Sequence, residues 1–220
     1  MGKLVVFEGI DGSGKSTQFK LMCTRLESDG VDFRRIVFPR YDEPSSALIK
    51  MYLSGEFGKD PDTINAFAAS SFYAVDRFAS FVMDWQSYYE NGGLILTDRY
   101  TTSNALHQGA KMRHGERKLF FEWLYDYEFD RFGLPRPDVV FFMNIDASLA
   151  VSRLRYREAQ TGTNADIHEN DLAYLSACAD SGNEAAAQYG WSVVECACNG
   201  ISRSEDEIHN EVYSKLKSYL

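Results

Sequence analysis

Residues Gly9-Ile10-Asp11-Gly12-Ser13-Gly14-Lys15-Ser16 match the spacing G-x-x-x-x-G-K-[ST] and directly follow the apolar run Leu4-Val5-Val6-Phe7. No other feature constrains the chain as tightly. Glycines at these places let backbone N–H groups turn inward around phosphate oxygens, Lys15 adds a point charge, and the Ser16 hydroxyl can ligate Mg²⁺. The pattern Gln18-Phe19-Leu21-Met22-Leu26 that follows has helical spacing, so the motif sits between a strand and a helix, as a phosphate loop must. An ordinary glycine-rich turn would lack that setting. The candidate polyphosphate-binding residues are Gly9, Asp11, Gly12, Ser13, Gly14, Lys15, Ser16 and Thr17.

The chain has 220 residues, 45% of them hydrophobic, enough to bury a large core. One domain over residues 1–220 is the economical reading. Apolar, β-rich runs recur at Leu4–Phe7, Phe33–Phe38, Leu94–Thr97, Val139–Ile145 and Ser192–Glu195, separated by segments of helical spacing. That alternation predicts an α/β fold, a mostly parallel five-stranded sheet with helices on both faces. The run Val139-Val140-Phe141-Phe142-Met143 is apolar throughout, which predicts a strand covered on both faces. A last helix is expected from a Ser204 cap, with Glu205, Asp206 and Glu207 in its first turn and Lys215 and Lys217 in its last. The stretch Gln160–Asp166 has no periodicity and reads as a mobile loop.

A formal net charge of −9 sets the surface against a nucleic-acid backbone, so an anionic ligand must be held by local positive charge. No run reaches membrane-spanning length, and the N-terminus lacks the pattern of a signal peptide or acylation site. A soluble cytoplasmic protein is expected. Cys23, Cys178, Cys196 and Cys198 are too few and too irregularly spaced for a disulfide framework and read as reduced thiols. Cys196 and Cys198, two apart at the end of a strand, are expected on one face.

Four further segments carry chemistry. The second strand ends in Phe38-Pro39-Arg40-Tyr41, a helix carries Tyr73-Ala74-Val75-Asp76-Arg77, the third strand ends in Asp98-Arg99-Tyr100, and the fourth is followed by Arg153, Arg155 and Arg157. Arg99 stands at the carboxyl end of a strand, where doubly wound sheets bind ligands. A guanidinium such as Arg40 matches phosphate bidentately. Tyr73 and Arg77 are four apart and share a helix face, offering a ring for stacking and a donor fork for a base carbonyl.

Taken together, the Phe-Pro-Arg-Tyr, Tyr-Ala-Val-Asp-Arg and Asp-Arg-Tyr segments with the phosphate loop make the chain resemble the thymidylate kinase family over nearly its whole length. The resemblance implies a three-layer P-loop kinase fold with a lid, here about residues 153–170, and transfer of a phosphoryl group from MgATP to dTMP. It implies a homodimer. By the resemblance, Lys15, Asp98 and Arg99 work at the phosphates, with Ser16 and Asp98 near the metal, and the acceptor is held by Asp11, Phe38, Pro39, Arg40, Tyr73, Arg77, Arg99, Asn104, His107 and Gln108. Asp11 is expected on the acceptor sugar.

Two departures matter. Position 12 is Gly where one class of the family carries a basic residue, which moves the catalytic arginine to the lid: Arg153, Arg155 or Arg157. Residues two apart on a helix do not share a face, so only one or two of the three can reach the phosphates. His107 stands where relatives often place an aromatic ring near the sugar, which bears on the rejection of ribonucleotides. Two other readings are another P-loop monophosphate or deoxynucleoside kinase, and a nucleotide-dependent switch. The switch lacks support, since the chain has no Asn-Lys-x-Asp guanine-reading motif.

Overall fold

In a computed structural model, which describes residues 1–58, 63–161 and 172–220, the chain builds a five-stranded sheet. The strands are β1 (Lys3–Glu8), β2 (Phe33–Val37), β3 (Leu94–Asp98), β4 (Val139–Asn144) and β5 (Ser192–Glu195), in the order β2-β3-β1-β4-β5. Every pairing is parallel; Val5 lies opposite both Leu96 and Val139. All five strands fall on the apolar runs of the sequence. In β1, Leu4, Val5, Val6 and Phe7 are fully buried, and side chains of this kind contribute about 1.5–3 kcal/mol each when removed from water. The β4 run Val139–Met143 is likewise buried.

The helices follow the same logic. They are α1 (Lys15–Ser28), α2 (Ala47–Leu53), α3 (Ala66–Ser80), α4 (Gln86–Glu90), α5 (Thr101–His107), α6 (Arg117–Tyr125), α7 (Ala147–Thr161), α8 (Leu172–Tyr189) and α9 (Glu205–Leu216). In α1 the spacing of Phe19, Met22, Cys23 and Leu26 buries one face. Helix α6 continues as a π-helical turn, Asp126–Arg131. Helix α9 starts with a reciprocal cap: Glu207 N–H donates to Ser204 Oγ, and Ser204 N–H donates to the Glu207 carboxylate.

Two expectations change. Cys196 is buried and Cys198 exposed, so they do not share a face. The parallel strand ends at Glu195, and Cys198 belongs to a separate hairpin of β6 (Ala197–Cys198) with β7 (Ile201–Ser202), which breaks the alternation of a continuous strand. Of the stretch Gln160–Asp166, Gln160 and Thr161 complete α7; residues 162–166, and 162–170 of the lid, lie outside the described residues.

Candidate active site

The loops after β1, β2 and β3 meet over the carboxyl ends of those strands. In the first, Gly9, Gly12 and Gly14 all adopt positive φ. Gly12 is also a close approach: a Cβ there would stand 2.4 Å from the carbonyl oxygen of Ala150 in α7, so any side chain would push α7 off the loop. With Gly14 in the left-handed region, α1 begins at Lys15, whose N–H donates to Ser13 Oγ at 3.4 Å, and the positive end of the helix dipole opens on the loop.

Lys15 Nζ is 2.6 Å from Asp98 Oδ1, and Ser16 Oγ donates to Asp98 Oδ2 at 2.9 Å. Burial, joined by the Arg99 charge, lowers the pKa of Lys15 below that of an ordinary lysine, against Asp98 and Glu8. Arg99 has φ +71, and the left-handed backbone of a non-glycine residue costs of order 1–3 kcal/mol. Its carbonyl accepts from Thr97 Oγ1 at 2.7 Å, and its N–H donates to Phe7 O at 3.1 Å, so the strand it follows, β3, and the adjacent β1 hold it there.

The Arg99 guanidinium reaches Asp11 Oδ1 at 2.5 Å and His107 Nε2 at 2.9 Å. Burial alone would lower the Arg99 pKa, but Asp11, Glu8 and Asp98 outweigh it and keep the group charged. Burial likewise would raise Asp11, and the cations led by Arg99 hold it below the ordinary carboxylate value. Because a guanidinium only donates, His107 Nε2 is the acceptor, and the imidazole proton sits on Nδ1 toward Tyr174 Oη at 3.2 Å.

Two cavities open beside this cluster. One, of about 480 Å³, runs along Gly12–Gln18, Arg153, Arg157 and the start of α9 at Ser204 and Glu205. The other, of about 390 Å³, is walled by Phe38, Pro39, Tyr73, Arg77, Arg99, Asn104, His107 and Gln108. They share four residues: Asp11, Lys15, Ser16 and Arg157. Burial raises the Tyr73 pKa, so its phenol stays neutral. Among the described residues, Gln108 Oε1 is buried without a hydrogen-bond partner.

The structure thus gathers most of the residues singled out in the sequence and sets two apart. Arg40 is held by Asp76, Asp84 and Ser45, and it lines a separate cavity with Arg34 and Arg35, not the one that Phe38 and Pro39 line. The buried Asp76 carboxylate also accepts from the Arg40 N–H, so both the backbone and the side chain of Arg40 are tied to α3. Arg155 is exposed and lines neither cavity, two positions from both Arg153 and Arg157. Arg77 does line the cavity, but Nε and Nη2 are committed to Glu128 at 2.6 Å each.

Sequence reasoning missed the buried carboxylates Glu8 and Glu128. Both hold the first turn of α5: Glu8 accepts from Thr102 and Ser103, and Glu128 from Thr101 and Asn104. Glu8 had a signal, a charge ending an apolar strand. Glu128, among Asp126 and Asp130 in an aromatic run, had none.

The family model for thymidylate kinase matches residues 7–211. The chain is 30% identical over 190 residues to the thymidylate kinase of Mycobacterium tuberculosis, covering 86% of this chain and 87% of that one. It is 30% identical over 223 residues to that of Halothermothrix orenii, covering 100% and 98%. Its fold resembles that of the Candida albicans thymidylate kinase, with a TM-score of 0.71 at 21% identity, over 99% of this chain and 92% of the other.

Proposed function

The chain belongs to the thymidylate kinase family, and from that premise we propose how its own residues phosphorylate dTMP with ATP. The observation that carries the reading is the meeting of two cavities at Asp11, Lys15, Ser16 and Arg157. A donor nucleotide along the phosphate loop and an acceptor between Phe38, Tyr73 and Arg77 then bring their phosphates together there. Holding the two in line supplies much of the rate, because phosphoryl transfer needs little covalent help from the protein.

An acceptor phosphate oxygen attacks the γ-phosphorus, the bond to the β-phosphate oxygen breaks, and ADP leaves with that electron pair. Lys15, Arg99 and Arg157 carry the positive charge that the spreading negative charge requires. The neutral Tyr73 ring stacks on the base, and Arg77 Nη1 donates to its carbonyl. A hard cation fits the site: the Ser16 hydroxyl and the Asp98 carboxylate are adjacent oxygen donors at the phosphate end. We assign them to Mg²⁺, which when bound neutralises charge on the transferred group.

We further propose a homodimer through α3, whose outward face carries Val75, Phe78 and, just beyond it, Val82 and Met83, 42–78% exposed. The activity is assigned to one domain over residues 1–220, with the lid beginning in α7. A cytoplasmic location suits these substrates; among the described residues no helix is long and apolar enough to cross a membrane. The deciding experiment measures ADP release with MgATP and a panel of nucleoside monophosphates. Release dependent on dTMP above the others is expected, and its absence overturns the reading.

A further inference from the structure

Glu128 stands in the π-helical turn that prolongs α6, is fully buried, and lies behind the acceptor cavity without lining it. A buried carboxylate is costly unless its lone pairs are met by donors. Here Oε2 accepts from Arg77 Nε at 2.6 Å and Thr101 Oγ1 at 2.8 Å, while Oε1 accepts from Arg77 Nη2 at 2.6 Å and Asn104 Nδ2 at 3.2 Å. One side chain therefore ties α3 to α5 through the two cavity residues Arg77 and Asn104.

The chemistry of these partners fixes which atoms remain for a ligand. The Asn104 amide nitrogen faces Glu128 and, at 3.3 Å, the carbonyl oxygen of Ser70. Both neighbours can only accept, so the nitrogen must be the atom turned toward them, and Oδ1 is left as an acceptor. Arg77 spends Nε and one Nη2 proton on Glu128, and its Nη1 makes no hydrogen bond among the described residues. The cavity wall then holds a donor, Arg77 Nη1, and an acceptor, Asn104 Oδ1. A pyrimidine with a 4-keto group and a protonated N3 presents the complementary pair. One with a 4-amino group and a bare N3 presents the reverse.

We propose that Glu128 is a positioning residue that sets this donor–acceptor polarity, and so selects 4-keto over 4-amino pyrimidine monophosphates; this rests on the acceptor cavity being the dTMP site. Glu128→Gln has the same shape but places an amide nitrogen, a donor, among donors. Rotation of the Asn104 amide meets that donor with Oδ1, at the loss of the longer 3.3 Å bond to the Ser70 carbonyl, and turns Nδ2 to the cavity. The kcat/KM for dTMP is expected to fall about 10- to 100-fold, mostly through the KM for dTMP, because a charged hydrogen-bond network of this kind is worth about that much. The KM for ATP stays within about twofold, and the dTMP-to-dCMP preference narrows about tenfold or more.

Thr101→Val removes a hydrogen bond to the same carboxylate without reversing polarity, so the dTMP-to-dCMP preference should stay that of the wild type. If Asn104→Ala leaves the preference unchanged, the base-reading assignment itself is wrong. If Asn104→Ala narrows it and Glu128→Gln does not, the positioning role is refuted while the base-reading assignment stands. Should Glu128→Gln fail to fold, Glu128→Asp draws the carboxylate back by one methylene and carries the same expectation. An unchanged preference in that variant overturns the proposal.

Discussion

The three lid arginines offer a test in which geometry makes unequal demands on chemically identical side chains. Arg157 reaches both cavities, Arg153 lines only the phosphate-loop cavity, and Arg155 lines neither. Arg153 Nη1 donates to Ser13 O at 3.1 Å, a bond that braces the loop before any nucleotide arrives. Loss of a charged hydrogen bond of that kind costs about 1.5–3 kcal/mol, so Arg153→Ala is expected to raise the KM for ATP by about 10- to 100-fold. Arg157 lines both cavities, where the proposed transfer takes place, and removing one donor aimed at developing charge costs about 2.7–4 kcal/mol. Arg157→Ala should therefore lower kcat about 10²- to 10³-fold with little change in the KM for dTMP, the mark of an interaction made in the transition state. Arg155→Ala should stay within about twofold in every parameter. A coupled ADP-release assay with both substrates varied reads all three. An Arg155 variant as impaired as the Arg157 variant, or an Arg157 variant with normal kcat, would refute the assignment.

Lys15→Ala is expected to abolish most turnover while circular dichroism stays near wild type; thermal melting shifts down, because the buried Asp98 carboxylate loses its ion-pair partner and keeps the Ser16 hydroxyl as a donor. Asp98→Asn should raise the Mg²⁺ concentration for half-maximal rate, measured by metal titration, because it removes the carboxylate beside Ser16. Ser204→Ala takes away the acceptor for Glu207 N–H at the start of α9 and should cost about 1 kcal/mol, seen by calorimetry as a drop in Tm of roughly 2–4 °C. His107→Tyr is expected to tighten the preference for dTMP over its ribo analogue; an unchanged ratio of kcat/KM values would show that His107 serves Arg99 rather than the sugar.

The scaffold was legible because its signals are local. Each of the five apolar, β-rich runs became a strand, and the most continuously apolar of them, β1, β3 and β4, are the ones buried along nearly their whole length. The phosphate loop was legible for the same reason, its glycines and Lys15 being set by a turn between one strand and one helix. What eluded sequence reasoning is the pairing of charges across the fold. Arg77 and Glu128 are 51 positions apart, and neither helical spacing nor composition says which of three neighbouring acids in an aromatic run faces inward. The partners of Arg40 were hidden in the same way: no sequence pattern says that Asp76, Asp84 and Ser45 hold the guanidinium that follows the second strand. The two cysteines failed for a local reason, a hairpin beginning where a strand was taken to continue.

These pairings also explain how a chain of net charge −9 carries a site for two polyanions. An unpaired buried cation is too costly to hold in place, so each one rests on a carboxylate: Lys15 on Asp98, Arg99 on Asp11, Arg77 on Glu128. The pairs differ in what surrounds them. Lys15 and Arg99 line the cavities together with their carboxylates, so an arriving phosphate can take over part of the contact. Glu128 lies behind the cavity with no exposed surface, and no ligand can replace it. The first two pairs are accordingly suited to exchange during turnover, while the third is part of the frame. On the proposed assignment, acceptor recognition and phosphoryl transfer are served by ion pairs of the same chemistry, distinguished by whether the carboxylate partner is open to the substrate.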